Sequence, residues 1–368
     1  MNILFIGQFR INGDGTTEAA KSLARAIRTI PNVNLTIRNI NMANKSPSAL
    51  DIDLIDLEKK SNHYDFIFEK VLPDLYFWQS PKVVAFHVFE TELNNHIWLN
   101  RLNNLTDIVC VPSQQEKSWL DKKLKIPCHA ISEPIDIDKY RIKYPRLDMF
   151  QDNTFYFTIV GENIPRKNIM GAVLAYLAEF NHNENVMLII KTNMNITDSI
   201  HHMKNSLRRY MRGTKYPPIC LITNWLNEDQ ICSLIQHSNI ILCPSFGEAF
   251  HRPSAYSIAL GRPVIFTSGI GVGSYVTEDY GWIIDSYKDC VYCETPPVPN
   301  IYTSDEYHYV PSINSFRGCM RQSFSDKDLY NQKRENIRAS NIAEMFRYET
   351  VGKKIEKIIN EKNYKIAD

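Results

Sequence analysis

The sequence predicts an α/β fold made of two doubly wound parallel sheets, one in each half of the chain. Three observations support this prediction. Short runs rich in β-branched residues alternate with helical patterns, a glycine-containing loop follows the first strand of each half, and the pattern starts again near residue 150. A strand, a loop, a helix and a second strand in this order form a βαβ unit, whose two strands run parallel.

The first half begins with the apolar run Ile3–Ile6, which predicts a buried strand. A polar loop with glycines follows this strand, and residues 17–30 then carry apolar side chains at helical spacing. Further strands are predicted at residues 83–88, 107–111 and 128–131. We therefore expect residues 1–147 to form one Rossmann-like domain.

The second half begins after residues 140–153, a charged stretch with prolines that has the composition of a linker. Strands are predicted at residues 155–160, 186–191, 219–223, 239–243, 264–267 and 282–285, with a helix at 169–180. Asn227 and Gln230 have the spacing of a capping box at a helix start. We expect residues 148–325 to form the second domain, and residues 326–368 to form helices that pack back toward the first.

The amino-acid composition argues against nucleic-acid-binding and membrane-spanning proteins. The chain has 368 residues, of which 44% are hydrophobic and 23% charged, as in globular proteins with ordinary cores. Lys and Arg number 42 against 41 Asp and Glu, so a general attraction to nucleic acid or anionic membranes is not predicted. No apolar run approaches the roughly 18 residues of a membrane span. We expect a cytoplasmic protein that could act beside a membrane.

The cysteines and acidic motifs predict no metal site. Several of the eight cysteines lie inside apolar runs, which is typical of buried, reduced thiols. Cys290 and Cys293 form a CxxC, but a second ligand pair at zinc-site spacing is missing. Asp51 and Asp53 have Asp-x-Asp spacing in an acidic, loop-like stretch, so we interpret them as solvated.

Two loops have the composition of anion-binding sites. Gly13, Gly15 and Thr16 lie between the first strand and the first helix, where the backbone can approach a ligand and the helix N-terminus favours an anion. The same residues also fit a flexible turn, since G-x-G-x-x-G is absent. Arg166 and Lys167 precede the first helix of the second domain, where two cations could clamp a diphosphate and stabilise a departing anion.

The segment PSFGEAFHRPSAYSIALGRPVI, residues 244–265, is the most informative. A predicted strand ends before it, Glu248 follows in a turn, and a short helix is predicted at residues 254–260. A carboxylate at the carboxyl end of a strand is well placed to accept hydrogen bonds from sugar hydroxyls. The alternative is an acid that only stabilises the following helix N-terminus.

This segment resembles the signature of retaining GT-B glycosyltransferases of glycosyltransferase family 4, roughly PS-x-x-E-G-F-G-x-P-x-x-E-A-x-A-x-G-x-P-V. The loop VGENIPRKN resembles the family's phosphate loop, with Lys167 in the lysine position. VAFHVFETE, DIVCVPS and SEPIDIDKY resemble the acceptor-side half of the same family. The resemblance covers most of residues 1–290. The matching residues of the signature are Pro244, Ser245, Glu248, Phe250, Pro253, Ala259, Gly261, Pro263 and Val264.

The resemblance implies a GT-B architecture, in which two Rossmann-like domains face each other across a cleft, the first binding the acceptor and the second the donor. It implies transfer of a sugar from a UDP- or GDP-sugar, with retention of configuration, to a hydroxyl of a glycan, lipid or protein in glycan biosynthesis. The expected partners are the nucleotide sugar and the acceptor, and the residues themselves indicate no nucleic acid, no cofactor and no metal. The implied catalytic residues are Glu248, Lys167 and Arg166; the donor-binding residues Gly13, Gly15, Thr16, Trp225, Ala249, Phe250, His251 and Tyr256; and the acceptor-side residues His87 and Glu90.

Four departures from the family pattern concern the implied donor site. The second family glutamate, taken to hold the ribose, is replaced by Tyr256, and the arginine after the phosphate-loop glycine is replaced by Glu162. The glycines that follow the first glutamate are Ala249 and His251. Two alternatives therefore stay open: a catalytically degenerate GT-B protein that binds a nucleotide sugar or glycan as a partner subunit, and a sugar-nucleotide epimerase.

Two implied site residues also have a structural interpretation. Trp225 follows a predicted strand and fits a core position as well as a base pocket. His87 lies at the end of a predicted strand, where a core or rim histidine with satisfied hydrogen bonds is the more common outcome. Glu90 is assigned to the acceptor side by its place in the segment that resembles the family.

Overall fold

The computed structural model describes residues 1–9, 15–40, 53–58, 63–76, 81–208, 215–291, 302 and 306–361. The chain divides into two compact units. One contains Met1–Ile137, Ile301–Thr303 and Glu344–Asp368, and the other contains Asp138–Asn300 and Ser304–Ala343. Each unit has a six-stranded sheet whose neighbouring strands all pair in parallel, which confirms the predicted fold class.

The sheet of the first unit is doubly wound, with strand order β2-β1-β3-β4-β5-β6. Its strands are β1 (Asn2–Gly7), β2 (Asn34–Asn39), β3 (Phe66–Glu69), β4 (Lys82–Phe86), β5 (Ile108–Val111) and β6 (Cys128–Ala130). Its helices up to residue 120 are α1 (Gly15–Arg28), α2 (His96–Leu105) and α3 (Gln114–Leu120). Alternate residues of β1 enter different cores: Phe5 packs with Phe68 and Phe86, and Leu4 packs with Ile67.

The sheet of the second unit has the order β12-β11-β10-β7-β8-β9. Its strands are β7 (Phe155–Val160), β8 (Val186–Lys191), β9 (Ile219–Ile222), β10 (Ile240–Cys243), β11 (Val264–Thr267) and β12 (Gly281–Ile284). The helices through this region are α4 (Ile137–Tyr140), α5 (Ile169–Glu179), α6 (Thr197–Arg208), α7 (Glu228–His237) and α8 (Arg252–Ala259). The predicted capping box at α7 is confirmed, since Asn227 and Gln230 each accept a hydrogen bond from the backbone N–H of the other.

An antiparallel hairpin, which the sequence did not predict, follows β12. It consists of β13 (Ser286–Cys290) and β14 (Tyr307–Pro311). Tyr309 N on β14 donates a hydrogen bond to Phe246 O at 2.7 Å, so the hairpin is joined to the loop after β10.

The C-terminal helices are α9 (Ile313–Ser325), α10 (Lys327–Ser340) and α11 (Tyr348–Asn360). Helix α11 packs on α1 of the first unit, where Val351 and Ile355 join the same core as Ile27. The two helices approach closely because residue 352 is glycine: a Cβ there would lie 2.6 Å from Ala26 O. Among the described residues, no helix is both long and apolar enough to cross a membrane.

Candidate active site

The strand order of the second unit brings two loops together at the carboxyl edge of its sheet. β7 and β10 are neighbours, with Phe157 paired to Ile240, but the chain leaves them toward opposite edges of the sheet. Such a switch in strand order opens a crevice beyond the carboxyl ends of the two strands, where α/β proteins bind ligands. The loop after β7 carries Arg166 and Lys167, and the loop after β10 carries Glu248.

These two loops meet in a buried ion cluster around Glu248. Lys167 Nζ donates a hydrogen bond to Glu248 Oε1 at 2.6 Å, and Arg166 Nη1 lies 3.4 Å from Glu248 Oε2. Ser245 Oγ donates to Glu248 Oε1 at 2.8 Å. The carboxylate is 5% exposed, and Arg166 is 8% exposed. The structure thus brings together the three residues that the sequence predicts to be catalytic.

Backbone contacts hold the cations in place. Phe246 N donates to Arg166 O at 2.8 Å, and Arg166 Nη1 donates to Gly247 O at 2.6 Å. Asn168 follows the short helical turn Pro165–Lys167, which carries both cations, and has a left-handed backbone conformation with φ of 50°. Its Nδ2 donates a hydrogen bond to Pro244 O at 3.0 Å. Because each loop supplies donors to the other, the charged side chains are positioned before any ligand arrives.

The cluster keeps Glu248 ionised although the side chain is buried. Burial raises the pKa of this carboxyl, but the charges of Lys167 and Arg166 and the hydrogen bond from Lys167 bring it well below its ordinary value of 4.5. One carboxylate therefore faces two cations. A buried cluster with surplus positive charge is suited to bind an anion and to stabilise negative charge that develops in a reaction.

His251 occupies a conformation that favours glycine. Its φ is 67°, at the position where the family signature has glycine. Tyr275 stabilises this turn, since its hydroxyl donates to Phe250 O at 2.6 Å and lies 3.1 Å from His251 O. His251 Nδ1 is hydrogen-bonded to Ser254 Oγ at 2.6 Å. Backbone strain of this kind persists where surrounding contacts enforce it, which is common at functional sites.

His251 is neutral at physiological pH. Burial lowers the pKa of its imidazole to about 3; the charges of Lys167 and Arg166 act in the same direction, while Glu248 opposes them. The imidazole lies beside the ion cluster, since one of its ring nitrogens lies within 4.8 Å of a Glu248 carboxylate oxygen. A neutral imidazole can donate one hydrogen bond and accept another, unlike the glycine that it replaces.

Tyr256, which stands where the family has its second glutamate, is engaged within the unit. Its ring stacks on Tyr140 with centroids 4.6 Å apart and an angle of 17° between the planes. Arg252 Nε donates to the Tyr256 hydroxyl at 2.8 Å. The hydroxyl therefore presents a neutral group already in contact with a cation, rather than a carboxylate.

The other predicted donor-side residues differ in their surroundings. Trp225 lies between β9 and α7 and is 66% exposed, so the core interpretation of this residue is wrong. Ala249 and Phe250 are buried beside Glu248. Gly15 and Thr16 are exposed at the start of α1 in the first unit, whereas Gly13 lies outside the described residues.

On the predicted acceptor side, His87 and Glu90 follow β4. His87 is 2% exposed, and burial together with the charge of Lys70 lowers the pKa of its imidazole to about 3. Its ring contacts those of Phe89 and Trp98, and among the described residues no hydrogen-bond partner reaches Nε2. His87 is thus buried, as the core interpretation requires, but its Nε2 lacks the hydrogen bond within the described residues that this interpretation also requires. Glu90 is partly exposed.

Sequence reasoning missed Glu116 in the same region. Ser113 and Glu116 have the spacing of a capping box, and Ser113 Oγ accepts from Glu116 N at 3.2 Å. The Glu116 side chain does not complete the box: its Oε1 accepts from Phe89 N at 2.8 Å instead. The S-x-x-E pattern could have singled out Glu116, although it predicts that the carboxylate accepts a hydrogen bond from Ser113 N rather than from Phe89 N.

Sequence reasoning also missed His308 on β14. Its ring lies 5.7 Å from that of Phe246, and burial with the charge of Arg166 lowers its pKa to about 4. No motif near residue 308 indicates this position.

One group near the ion cluster has metal-binding side chains. Ligand atoms of Cys243, Glu248 and His251 lie within 4.8 Å of one another, and all three residues are buried. Glu248 is already hydrogen-bonded by Lys167, and a cation placed here would lie beside two positive side chains. The charge of the site therefore suits an anion better than a metal ion.

No protein-family model matches the chain, and no curated protein matches it. Solved structures match it over almost its full length. Sucrose-phosphate synthase from Thermosynechococcus elongatus has a TM-score of 0.68 at 12% identity, covering 98% of each chain. Anabaena Alr3699/HepE in complex with UDP-glucose has a TM-score of 0.66 at 14% identity, covering 98% of this chain and 99% of that one. WaaG, a glycosyltransferase involved in lipopolysaccharide biosynthesis, has a TM-score of 0.64 at 14% identity, covering 98% and 100%. The chain therefore has the two-domain α/β fold of the GT-B glycosyltransferases.

Proposed function

We propose that the protein is a retaining glycosyltransferase, which moves a sugar from a UDP- or GDP-sugar to a hydroxyl of a glycan, lipid or other acceptor. The observation that carries this proposal is the buried cluster of Lys167, Arg166 and Glu248 at the switch point of the second sheet. Similar folds occur in a HepE structure that contains UDP-glucose and in the transferase WaaG.

In this proposal Arg166 and Lys167 bind the diphosphate. Lys167 exchanges its bond with Glu248 for a bond to a phosphate oxygen, and Arg166 stays anchored on Gly247 O. As the bond between the anomeric carbon and the phosphate oxygen breaks, the leaving nucleotide gains negative charge, which the two cations stabilise. Because such charge grows in the transition state, these contacts accelerate the reaction rather than only tightening donor binding.

Glu248 then holds hydroxyls of the donor sugar. Its carboxylate is ionised and hence a strong hydrogen-bond acceptor, and Lys167 leaves part of it open when it turns to the phosphate. Trp225, exposed beyond β9, offers a ring on which a nucleotide base could stack. Attack of the acceptor hydroxyl on the face of the departing phosphate retains the anomeric configuration, and a phosphate oxygen accepts the hydroxyl proton.

We further propose that the reaction needs no metal ion, because Arg166 and Lys167 supply the positive charge that a metal would provide. We also propose that the protein is located in the cytoplasm. Its support is that the cysteines of the described chain are free thiols, several of them buried in strands.

A second candidate is a degenerate GT-B protein that binds a nucleotide sugar without turnover. The engagement of Tyr256 with Tyr140 and Arg252, in place of a ribose-binding glutamate, favours it. It predicts the same nucleotide binding but no bond cleavage. Turnover measurements therefore separate the two candidates.

The test is nucleotide release from a panel of UDP- and GDP-sugars, with and without acceptor mixtures. We expect slow release from one donor, which falls about 100-fold in Lys167→Ala and Glu248→Ala. Lys204→Ala on α6 and Glu335→Gln on α10 remove the same charge types elsewhere and should leave release unchanged. Binding without release under every acceptor would favour the degenerate protein, and conversion of a donor into its epimer would contradict transfer.

A further inference from the structure

Three arginines lie at the amino edge of the second sheet, opposite the ion cluster of Glu248. Arg262 lies in the turn between α8 and β11, while Arg334 and Arg338 lie on α10. The ion cluster lies beyond the carboxyl ends of β7 and β10 instead. β10 and β11 have four residues each, so roughly 13 Å of sheet separates the two edges. The proposed function uses none of these arginines.

Two contacts place α10 at this edge. Asn239, which directly precedes β10, donates a hydrogen bond from Nδ2 to the Tyr330 hydroxyl at 3.3 Å. Gly261 has φ of 68°, and a Cβ there would lie 3.1 Å from Arg338 Nε. The guanidinium group of Arg338 therefore covers the turn that carries Arg262.

The other two guanidinium groups lie at Tyr330. Arg334 Cζ lies 5.5 Å from the centroid of the Tyr330 ring, and Arg334 shares one face of α10 with Arg338, four residues on. Burial lowers the pKa of Arg262, and Tyr330 opposes this effect, in part through a hydrogen bond. The positive charges of Arg334 and Arg338 lower the pKa further. Three guanidinium groups from two segments of the chain thus meet at this edge.

These positive charges are not paired with carboxylates. Among the residues that the structure describes, no carboxylate forms an ion pair with any of the three arginines. By contrast, Arg317 and Arg321 on α9 both pair with Glu179. The Nε atoms of Arg262 and Arg334 are buried and have no hydrogen-bond partner. Buried polar groups normally have partners, so unsatisfied nitrogens beside unpaired positive charge indicate a place for an anion.

We propose that Arg262, Arg334 and Arg338 form a second anion site, which binds the phosphate group of a soluble phosphate monoester. The forked N–H donors of a guanidinium group match two phosphate oxygens at once. A phosphate monoester carries about 1.5 to 2 negative charges at pH 7, which three guanidinium groups can balance. The site uses no residue of the proposed donor or acceptor site, so it does not depend on transferase activity.

Helix α8 separates the second anion site from the candidate active site. The helix has eight residues and is about 12 Å long; His251 precedes it, and the turn with Arg262 follows it. A phosphate at the arginines and a diphosphate at Lys167 can therefore be bound at the same time. A lipid headgroup fits less well, because the exposed large apolar side chains of the described residues all lie outside α8, α10 and this turn.

The test is calorimetric titration of the full chain with inorganic phosphate and with methyl phosphate at constant ionic strength. We expect saturable binding of both, which Arg338→Met and Arg262→Met each weaken at least tenfold. Arg262→Lys keeps the charge but not the forked donors, so it should weaken binding less than Arg262→Met. Absence of saturable binding to the wild-type protein would overturn the proposal.

Two matched controls separate this site from other positive charges. Lys327→Met removes a charge from the first turn of α10, about 16 Å along the helix from Arg338, and should bind phosphate normally. Lys167→Ala, in the candidate active site, should retain the second anion site. Phosphate binding that is lost in Lys167→Ala and unchanged in the arginine variants would overturn the proposal while leaving the proposed transferase in place.

Thermal unfolding shows whether the arginines serve the fold alone. Phosphate should raise the Tm of the wild-type protein, since a ligand that binds only the folded state stabilises it. Arg338→Met keeps an unbranched side chain over Gly261 and removes one of three repelling charges, so its Tm without phosphate should not fall. Its Tm should also rise less with phosphate. A lower Tm without phosphate, together with an undiminished rise, would contradict a binding role.

A vesicle arm identifies the source of the phosphate group. The protein is sedimented with phosphatidylcholine vesicles that contain phosphatidic acid. We expect no sedimentation that depends on Arg338. Sedimentation of the wild-type protein but not of Arg338→Met, without binding of the soluble phosphates, would overturn the assignment to a soluble ligand.

Discussion

Lys167 and Glu248 lie 81 residues apart in the chain and form an ion pair whose carboxylate is buried, with Nζ 2.6 Å from Oε1. The strand order brings them together, because β7 and β10 are neighbours whose following loops meet at one edge of the sheet. Removing one partner of such a pair leaves a buried charge without its counterion, which is costly. The pair is therefore both a structural element and, in the proposed mechanism, the group that a donor phosphate rearranges.

The first prediction concerns the energy of this pair. Glu248→Gln should lower the free energy of unfolding by about 3 kcal/mol, because it removes the counterion that Lys167 and Arg166 share. Lys167→Met should lower it by less, because Glu248 keeps Arg166 as a counterion. The double variant should lose less than the sum, since the contact between Lys167 and Glu248 can be lost only once. Urea unfolding of the four proteins measures this coupling, and strictly additive losses would show that the contact is energetically neutral.

A second prediction concerns pH and three buried histidines. The pKa values of His87 and His251 are lowered to about 3, and that of His308 to about 4. Their unfolded forms bind a proton below about pH 6.5, whereas the folded forms do not. The stability that depends on their neutral state is thus complete above pH 6.5 and is lost as the pH falls toward 3 to 4.

Each histidine should contribute about 1.4 kcal/mol per pH unit to the slope of stability between pH 6 and 5. Urea unfolding at a series of pH values measures the slope in wild type and in His308→Gln. The variant should lack the contribution of one proton. An unchanged slope would mean that His308 titrates normally in the folded protein.

A third prediction concerns the strained turn at His251. A residue with a Cβ and φ of 67° is disfavoured relative to glycine by about 1 kcal/mol. Of two variants that both lose the bond to Ser254, His251→Gly should therefore be more stable than His251→Ala by about that amount. Thermal unfolding compares them. Equal stabilities would show that the turn relaxes when the imidazole is removed.

The fourth prediction concerns Glu116 as a positioning residue of the proposed acceptor segment, which contains His87 and Glu90. Its Oε1 accepts the hydrogen bond from Phe89 N, which lies between His87 and Glu90. Glu116→Gln keeps a carbonyl oxygen at this place, whereas Glu116→Ala removes it. We expect hydrogen exchange of the Phe89 amide to stay slow in the glutamine variant and to accelerate at least tenfold in the alanine variant.

The matched control for this measurement is Ser113→Ala. It removes the cap of α3, worth about 1 kcal/mol, without touching the bond to Phe89 N. Equally fast exchange of Phe89 in Ser113→Ala and Glu116→Ala would assign the effect to general loss of stability rather than to positioning.

The strands that the sequence predicted correctly are those that are both buried and apolar. Phe155–Val160 and Val264–Thr267 are strands at the predicted bounds, since β-branched and aromatic runs fit a sheet covered on both faces. Asn34–Asn39 was missed because four of its six residues are polar. The four-residue strand Phe66–Glu69 was also missed. The hairpin of β13 and β14 carries tyrosine, lysine and aspartate in place of an apolar run.

The site shows the same division. The sequence predicted three residues of the candidate site because each charged side chain lies in a loop between a predicted strand and a predicted helix, where α/β proteins bind anions and sugars: Arg166, Lys167 and Glu248. Glu116 and His308 were not predicted, because their roles depend on which distant backbone they contact. For Glu116 the local pattern indicates a helix cap, and only the tertiary structure shows that the carboxyl turns to Phe89.

The most direct test of the central claim is calorimetric titration of the protein with UDP and with GDP. If Arg166 and Lys167 form the diphosphate site, one nucleotide binds the wild-type protein, and Lys167→Ala weakens that binding at least tenfold, while Lys204→Ala binds normally. Binding that is unchanged in Lys167→Ala and in Arg166→Ala would contradict the claim, because the diphosphate would then lie elsewhere.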